Sequence, residues 1–150
     1  MTFADTGADT GESPIDWTVF AAARAELGAN FVRILGYFRE DGAKSVAQIE
    51  EAMRAGNATA MVLPAHTLKG ESHQFGAEVL ATLAETIEVI ARGCVERHDA
   101  PQQALEHVVR LRPVFQQTLE LLERETNPLV ERRPTFGRKP ILAGGGFERE

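Results

Sequence analysis

The feature that most constrains this chain is a succession of apolar residues spaced three and four apart, interrupted by glycine, aspartate and proline. An α-helix turns by about 100° per residue, so this spacing places the apolar side chains on one face. No segment sustains the alternation of apolar and polar residues that is typical of strands. Amphipathic helices joined by short loops pack as antiparallel neighbours. The sequence therefore predicts an all-α fold: an antiparallel four-helix bundle with additional short N-terminal helices.

Residues that break helices set the expected helix limits. We expect successive helices to end at Gly28, Asp41-Gly42, Gly56-Asn57, Gly76 and the turn 98–101. The predicted helices then cover approximately residues 16–26, 29–40, 43–55, 59–75, 77–97 and 102–125. Pro113 lies inside the last of these and is expected to kink it.

Composition divides the chain into three parts. Residues 1–13 are polar, acidic and glycine-containing, and we interpret them as a disordered leader. Residues 14–126 carry the helical pattern and are expected to form one bundle domain. Residues 127–150 are basic and rich in proline and glycine. This tail is expected to be flexible, the alternative being a segment that folds back or docks a partner.

Charge and cysteine content exclude several classes of function. A formal net charge of −6 argues against nucleic acid as the main partner, because phosphate binding needs a basic face. A single cysteine, Cys94, provides no internal disulfide and fits a reducing compartment. The N-terminus lacks the basic start and apolar core of a secretory signal, and no stretch approaches about 18 apolar residues. We therefore expect a cytoplasmic protein that does not interact with membranes.

The segment around residue 66 carries two faces of opposite character. His66, Lys69, Gly70 and His73 fall on one stripe of the helix, and Leu68 belongs to an apolar stripe on the opposite face. An exposed neutral imidazole is a nucleophile near physiological pH, and a mobile lysine suits phosphate oxygens. Gly70 leaves space beside the ring for a macromolecule. Together these residues point to phosphoryl transfer to histidine, with a second protein holding the donor or acceptor.

The stretch "AHTLKGESHQFGAEVLATLAETIE", residues 65–88, resembles the signature of histidine-containing phosphotransfer (HPt) domains of bacterial multistep two-component phosphorelays. The resemblance extends over approximately residues 15–125. Two positions depart from the family pattern: Glu71 stands where serine is usual, and His73 where a small residue is common. Glu71 is expected to be a solvated flank. The matching positions are Ala65, His66, Leu68, Lys69, Gly70, Phe75, Gly76, Ala77, Leu80, Leu83, Ala84, Ile87 and Glu88.

The resemblance implies a role for each site residue. His66 is the phosphorylated nucleophile, Lys69 stabilises the phosphoryl group, and Glu88 orients the His66 ring. We further assign Gly70, His73, Val62 and Gln74 to partner binding. Because His73 departs from the family pattern, it could instead be an ordinary surface histidine. The implied partners are response-regulator receiver domains and a hybrid sensor histidine kinase. We also expect a monomeric phosphocarrier with no ATP site, no metal site and no cofactor of its own. The resemblance implies that Mg²⁺ comes from the receiver domain.

Three alternatives stay open at this point. The chain could be a non-phosphorylated relative that only binds a signalling partner. It could be the dimerisation helix of a sensor kinase, although such helices usually carry an acidic residue where this chain has Thr67, and no glycine-rich phosphate loop follows. It could also be a metal-binding bundle, but His66 and His73 are two turns apart, about 10 Å, which is too far for one ion.

Overall fold

A computed structural model describes residues 13–126, which contain five α-helices and no strand. Helix α1 spans Trp17–Leu27, α2 Phe31–Ala55, α3 Ala58–Gln74, α4 Glu78–Arg97 and α5 Leu105–Thr126; short 3₁₀ turns precede α2 and α5. The prediction of an all-α bundle is confirmed, with α2 to α5 as the long helices and α1 as a short N-terminal one. None of these helices is both long and apolar enough to cross a membrane.

The described residues fall into two compact units. Residues 13–118 belong to the first, which contains α1 to α4 and most of α5. The second begins at Leu119, and in it the Thr126 hydroxyl donates to the Leu122 carbonyl at 2.7 Å. Apart from Ser13, the predictions for the leader and the tail lie outside the described residues.

Side chains cap the first turns of α1 and α3. The Asp16 carboxylate accepts hydrogen bonds from two backbone N–H groups of the first turn of α1. Asn57 does the same for α3, where its side-chain oxygen accepts from the Ala60 N–H at 3.0 Å. These N–H groups have no partner inside the helix, so the caps fix where each helix starts.

The predicted break at Asp41-Gly42 is wrong, because α2 runs through both residues without interruption. Gly42 is buried, and a Cβ built on it would lie 2.5 Å from Cε1 of Phe115 on α5. Asp41, the preceding residue, is exposed. Gly42 therefore allows an aromatic ring to approach the helix closely. In the sequence alone, a glycine needed for such packing cannot be distinguished from a glycine that ends a helix.

A chain of aromatic rings connects the helices. Phe75, at the C-terminal end of α3, contacts Phe31 at 5.7 Å and Phe38 at 5.3 Å between ring centroids. Phe38 in turn contacts Phe115 at 5.8 Å. All four rings are buried, so they anchor the end of α3 against α2, and α2 against α5.

Gly76 sets the turn between α3 and α4. Its φ of +75° is one that L side chains rarely adopt, and a Cβ there would lie 2.5 Å from the Asp16 carbonyl oxygen. The Asp16 N–H also donates to the Gly76 carbonyl at 2.7 Å. The start of α1 therefore packs directly on the turn that connects α3 to α4.

The two glycines inside α2 provide a matched test of the corrected break. We expect Gly42→Ala to lower the free energy of unfolding by about 1–3 kcal/mol, because the added methyl group collides with the Phe115 ring. Gly36→Ala should raise it by up to about 1 kcal/mol, because its Cβ meets no atom within 4 Å and alanine favours the helix. Urea unfolding followed by circular dichroism measures both. Stabilisation at both positions would contradict the packing role of Gly42.

Candidate functional site

Helix α3 separates a buried face from an exposed one. Its buried residues are Ala58, Met61, Pro64, Ala65, Leu68 and Ser72. The His66 side chain is 54% exposed on the other side. The helix continues through Pro64. The apolar residues therefore hold α3 in the bundle while the imidazole reaches the surface.

The His66 ring is fixed by a carboxylate on the neighbouring helix. His66 Nδ1 lies 3.0 Å from Oε2 of Glu88 on α4, a side chain that is only 6% exposed. An ionised carboxylate can only accept hydrogen bonds, so we assign the proton of the neutral ring to Nδ1. Nε2 is then the unprotonated nitrogen, and no hydrogen bond within residues 13–126 engages it.

Two cationic side chains share the same carboxylate. Lys69 Nζ lies 2.9 Å from Glu88 Oε1. Arg92, one turn after Glu88, donates from Nε at 3.0 Å and from Nη2 at 2.8 Å, both to Oε2. Glu88 is therefore the centre of a cluster that joins α3 to α4, and we call His66, Lys69, Glu88 and Arg92 the Glu88 cluster.

The Glu88 cluster keeps its carboxylate ionised despite burial. Desolvation by burial alone would raise the pKa of Glu88. The hydrogen bonds from Lys69, Arg92 and His66, with the charge of Lys69, outweigh that effect and lower the pKa to about 2. The negative charge beside His66 is therefore present throughout the physiological pH range.

The residues predicted to bind a partner lie on α3 around His66. Gly70, His73 and Gln74 are exposed, and Val62 is half-buried. A Cβ built on Gly70 would meet no atom within 4 Å. The surface at position 70, one turn after His66, is therefore open.

The environment of Glu71 differs from the one that the sequence predicted. It was expected to be a solvated flank, but it is half-buried, and its Oε1 atom is enclosed without a hydrogen-bond partner. Burial, with a smaller contribution from Asp41 on α2, raises the pKa of Glu71. The packing of α3 against α2 encloses this side chain, which the position on the helical wheel alone did not indicate.

Arg92 is the member of the Glu88 cluster that the sequence analysis missed. The only available signal was its spacing, since a residue four positions after Glu88 lies on the same face of the helix. That signal was weak because α4 also carries other charged residues at this spacing. Within residues 13–126, no group of three or more histidine, cysteine, aspartate or glutamate side chains is arranged to hold a metal ion.

The depressed pKa of Glu88 predicts how stability depends on pH. Its ionised form contributes stability that is fully present above the ordinary pKa of 4.5 and is lost as pH falls towards 2. We expect Glu88→Gln to be less stable than wild type by roughly 3 kcal/mol or less at pH 7. That difference should shrink between pH 4.5 and 2, as measured by chemical unfolding at each pH. Glu85→Gln, an exposed change on the same helix, is the control; an equal loss there would contradict the assignment.

Comparisons with known proteins agree on the family. A family model described as the Hpt domain matches residues 33–125, more than half of the chain. Among solved structures, the fold is similar to the histidine-containing phosphotransfer protein B (HptB) of Pseudomonas aeruginosa PAO1, with a TM-score of 0.67 and 25% sequence identity. That match covers 74% of this chain and 92% of the other. A comparison with curated proteins found no match. From its helical bundle and the match over residues 33–125, we conclude that this chain belongs to the Hpt domain family.

Proposed function

We propose that His66 Nε2 accepts a phosphoryl group from the aspartyl phosphate of a receiver domain and passes it to an aspartate of a second receiver. The donor receiver would belong to a hybrid sensor histidine kinase, and the acceptor would be a response regulator. The protein is then a phosphocarrier in a phosphorelay. This proposal extends the family assignment to a particular residue and direction of transfer.

The observation that carries the proposal is the state of the His66 ring. The ring is half exposed, its Nδ1 is committed to Glu88, and its Nε2 has no hydrogen-bond partner in the described part of the chain, residues 13–126. A nucleophilic histidine needs an unprotonated nitrogen that faces the incoming group, and the hydrogen bond to the other nitrogen selects that tautomer. A histidine that served only to stabilise the bundle would not need this arrangement at the surface.

The transfer step follows from this geometry. The Nε2 lone pair forms the N–P bond while the P–O bond to the aspartate breaks, and the electron pair leaves with the aspartate carboxylate. Because Nδ1 keeps its proton, the phosphorylated ring is positively charged. The ionised Glu88 balances that charge at 3.0 Å. The Mg²⁺ that neutralises the phosphoryl oxygens during transfer would be held by the receiver.

Lys69 adds positive charge on the same side of the ring. It lies one turn after His66, and its Nζ is held by Glu88 rather than by solvent alone. An ammonium ion is a compact point charge that favours phosphoryl oxygens. In the proposed mechanism Lys69 therefore supports the incoming phosphoryl group from a fixed position.

The first prediction from the proposed function concerns the residue that accepts the phosphoryl group. We expect His66→Gln to abolish labelling by a cognate receiver domain that carries radioactive aspartyl phosphate, while the helical circular dichroism spectrum stays unchanged. His107→Gln, a histidine on α5, should be labelled like wild type and serves as the control. Labelling of His66→Gln would disprove the assignment. Stable binding of a receiver with no labelling of wild type would favour a binding-only module.

The second prediction concerns the open space at Gly70. Gly70→Arg should slow phosphoryl transfer from a receiver domain at least tenfold, because a long side chain would fill the approach to the ring. It should leave labelling by phosphoramidate unchanged, since this small donor needs little clearance. Helix stability should rise by up to about 1 kcal/mol.

Gly36→Arg is the matched control for position 70, because it also places arginine at a helical glycine whose Cβ meets no atom. Transfer from the receiver should be unaffected in this variant. Two results would contradict the proposal that Gly70 leaves space for the receiver domain. One is equally slow transfer from the receiver in both variants, and the other is slower labelling of Gly70→Arg by phosphoramidate as well.

A further inference from the structure

A groove of about 370 Å³ lies between α4 and α5, and the proposed transfer reaction does not use it. We call it the α4–α5 groove. Thr86, on its wall, and Glu88 are two residues apart and therefore about 200° apart around α4. The groove thus opens on the face of α4 opposite to the one that contacts His66. The side chains that form its two walls are Val79, Thr82, Leu83 and Thr86 of α4 and His107 and Arg110 of α5.

The described chain begins inside this groove. Ser13 lines it next to Glu78, the first residue of α4. The Pro14 carbonyl accepts a hydrogen bond from the Val79 N–H at 3.4 Å, and Ile15 is buried. These contacts fix the chain at one end of the groove, so the residues that precede Ser13 start from there.

The groove and the preceding residues carry opposite charges. Arg110 is exposed at the rim and has no ion pair within residues 13–126. Its attraction for an acid extends over about 10 Å at ordinary salt concentrations. Glu78, the acidic residue of the groove, lies at the Ser13 end. Residues 1–12 contain no lysine or arginine, and their acidic residues are Asp5, Asp9 and Glu12.

The spacing of these charges along the chain matches the length of the groove. Glu78 and Thr86 are eight residues apart, which is about 12 Å along a helix. Asp9 precedes Ser13 by four residues, which span about 13 Å when extended. Because α4 and α5 are joined by a short connection, the first turns of α5 lie beside the later turns of α4, and Arg110 belongs to the Thr86 end. An extended chain from Ser13 therefore brings Asp9 to Arg110.

We infer that residues 6–12 bind in the α4–α5 groove, with the Asp9 carboxylate paired to the Arg110 guanidinium. The segment has no apolar core of its own, but Val79, which is 38% exposed, and Leu83 supply apolar surface. Attachment at Ser13 makes the contact intramolecular, so that weak interactions are enough to populate it. The bound segment would leave the His66 face open, and the inference does not depend on the proposed function.

The test places a nitroxide spin label just outside the bound segment, on Ala4→Cys, in the full chain with Cys94→Ala so that only one thiol reacts. A nearby nitroxide broadens amide signals in a ¹H–¹⁵N correlation spectrum. We expect the signals of Thr82, Thr86 and Arg110 to lose about half of their intensity or more, relative to the reduced label. The signals of Lys69 and His73, beside His66, should keep theirs.

Charge exchange tests the pair itself. Arg110→Glu should restore the intensity of the Thr82 and Thr86 signals by about twofold, and adding Asp9→Arg to that variant should bring the broadening back. Arg54→Glu is the matched control, because Arg54 is an exposed arginine on α2. It makes the same change in net charge and should leave the broadening as it is.

Four results would overturn the inference. Broadening spread evenly over α3 and α4 would mean that the segment does not settle in the groove, and broadening centred on His66 would place it on the reactive face. Equal loss of broadening in Arg54→Glu and Arg110→Glu would show an effect of net charge alone. Failure of Asp9→Arg to bring the broadening back in Arg110→Glu would exclude the Asp9–Arg110 pair.

Discussion

A buried carboxylate at the contact between α3 and α4 is the constraint on which the site depends. Glu88 is buried, yet it stays ionised because groups from both helices converge on it. A buried charge without partners would cost several kcal/mol, so the cluster must form whenever the helices pack. The position of the His66 ring is therefore coupled to the packing of the bundle.

Small residues make that convergence possible. Fully buried alanines lie on both helices, Ala65 on α3 and Ala81, Ala84 and Ala91 on α4. Helix axes approach more closely where the side chains between them are small. Phe75 holds the C-terminal end of α3, and the tight turn at Gly76 returns the chain into α4. His66 is thus presented by a packed helix pair rather than by a loop.

The two glycines that the sequence analysis treated differently show how little a local pattern says about packing. Gly70 was assigned to partner binding from its neighbours on the helical face, and a Cβ built on it would meet no atom within 4 Å. Gly42 follows an aspartate, as helix-ending glycines often do, but it lies inside α2 against the ring of Phe115. Those two residues are 73 positions apart, so no local pattern could reveal the contact.

The sequence by itself determined the helical class, the face on which His66 lies and its family resemblance, because these follow from the spacing of neighbouring residues and from short motifs. It also directed attention to Glu88 through that resemblance. Only the tertiary structure brought Arg92 to the same oxygen as His66 and enclosed Glu71 between helices. Contacts, burial and the resulting pKa values depend on which helices pack together, and that information is not contained in any one segment.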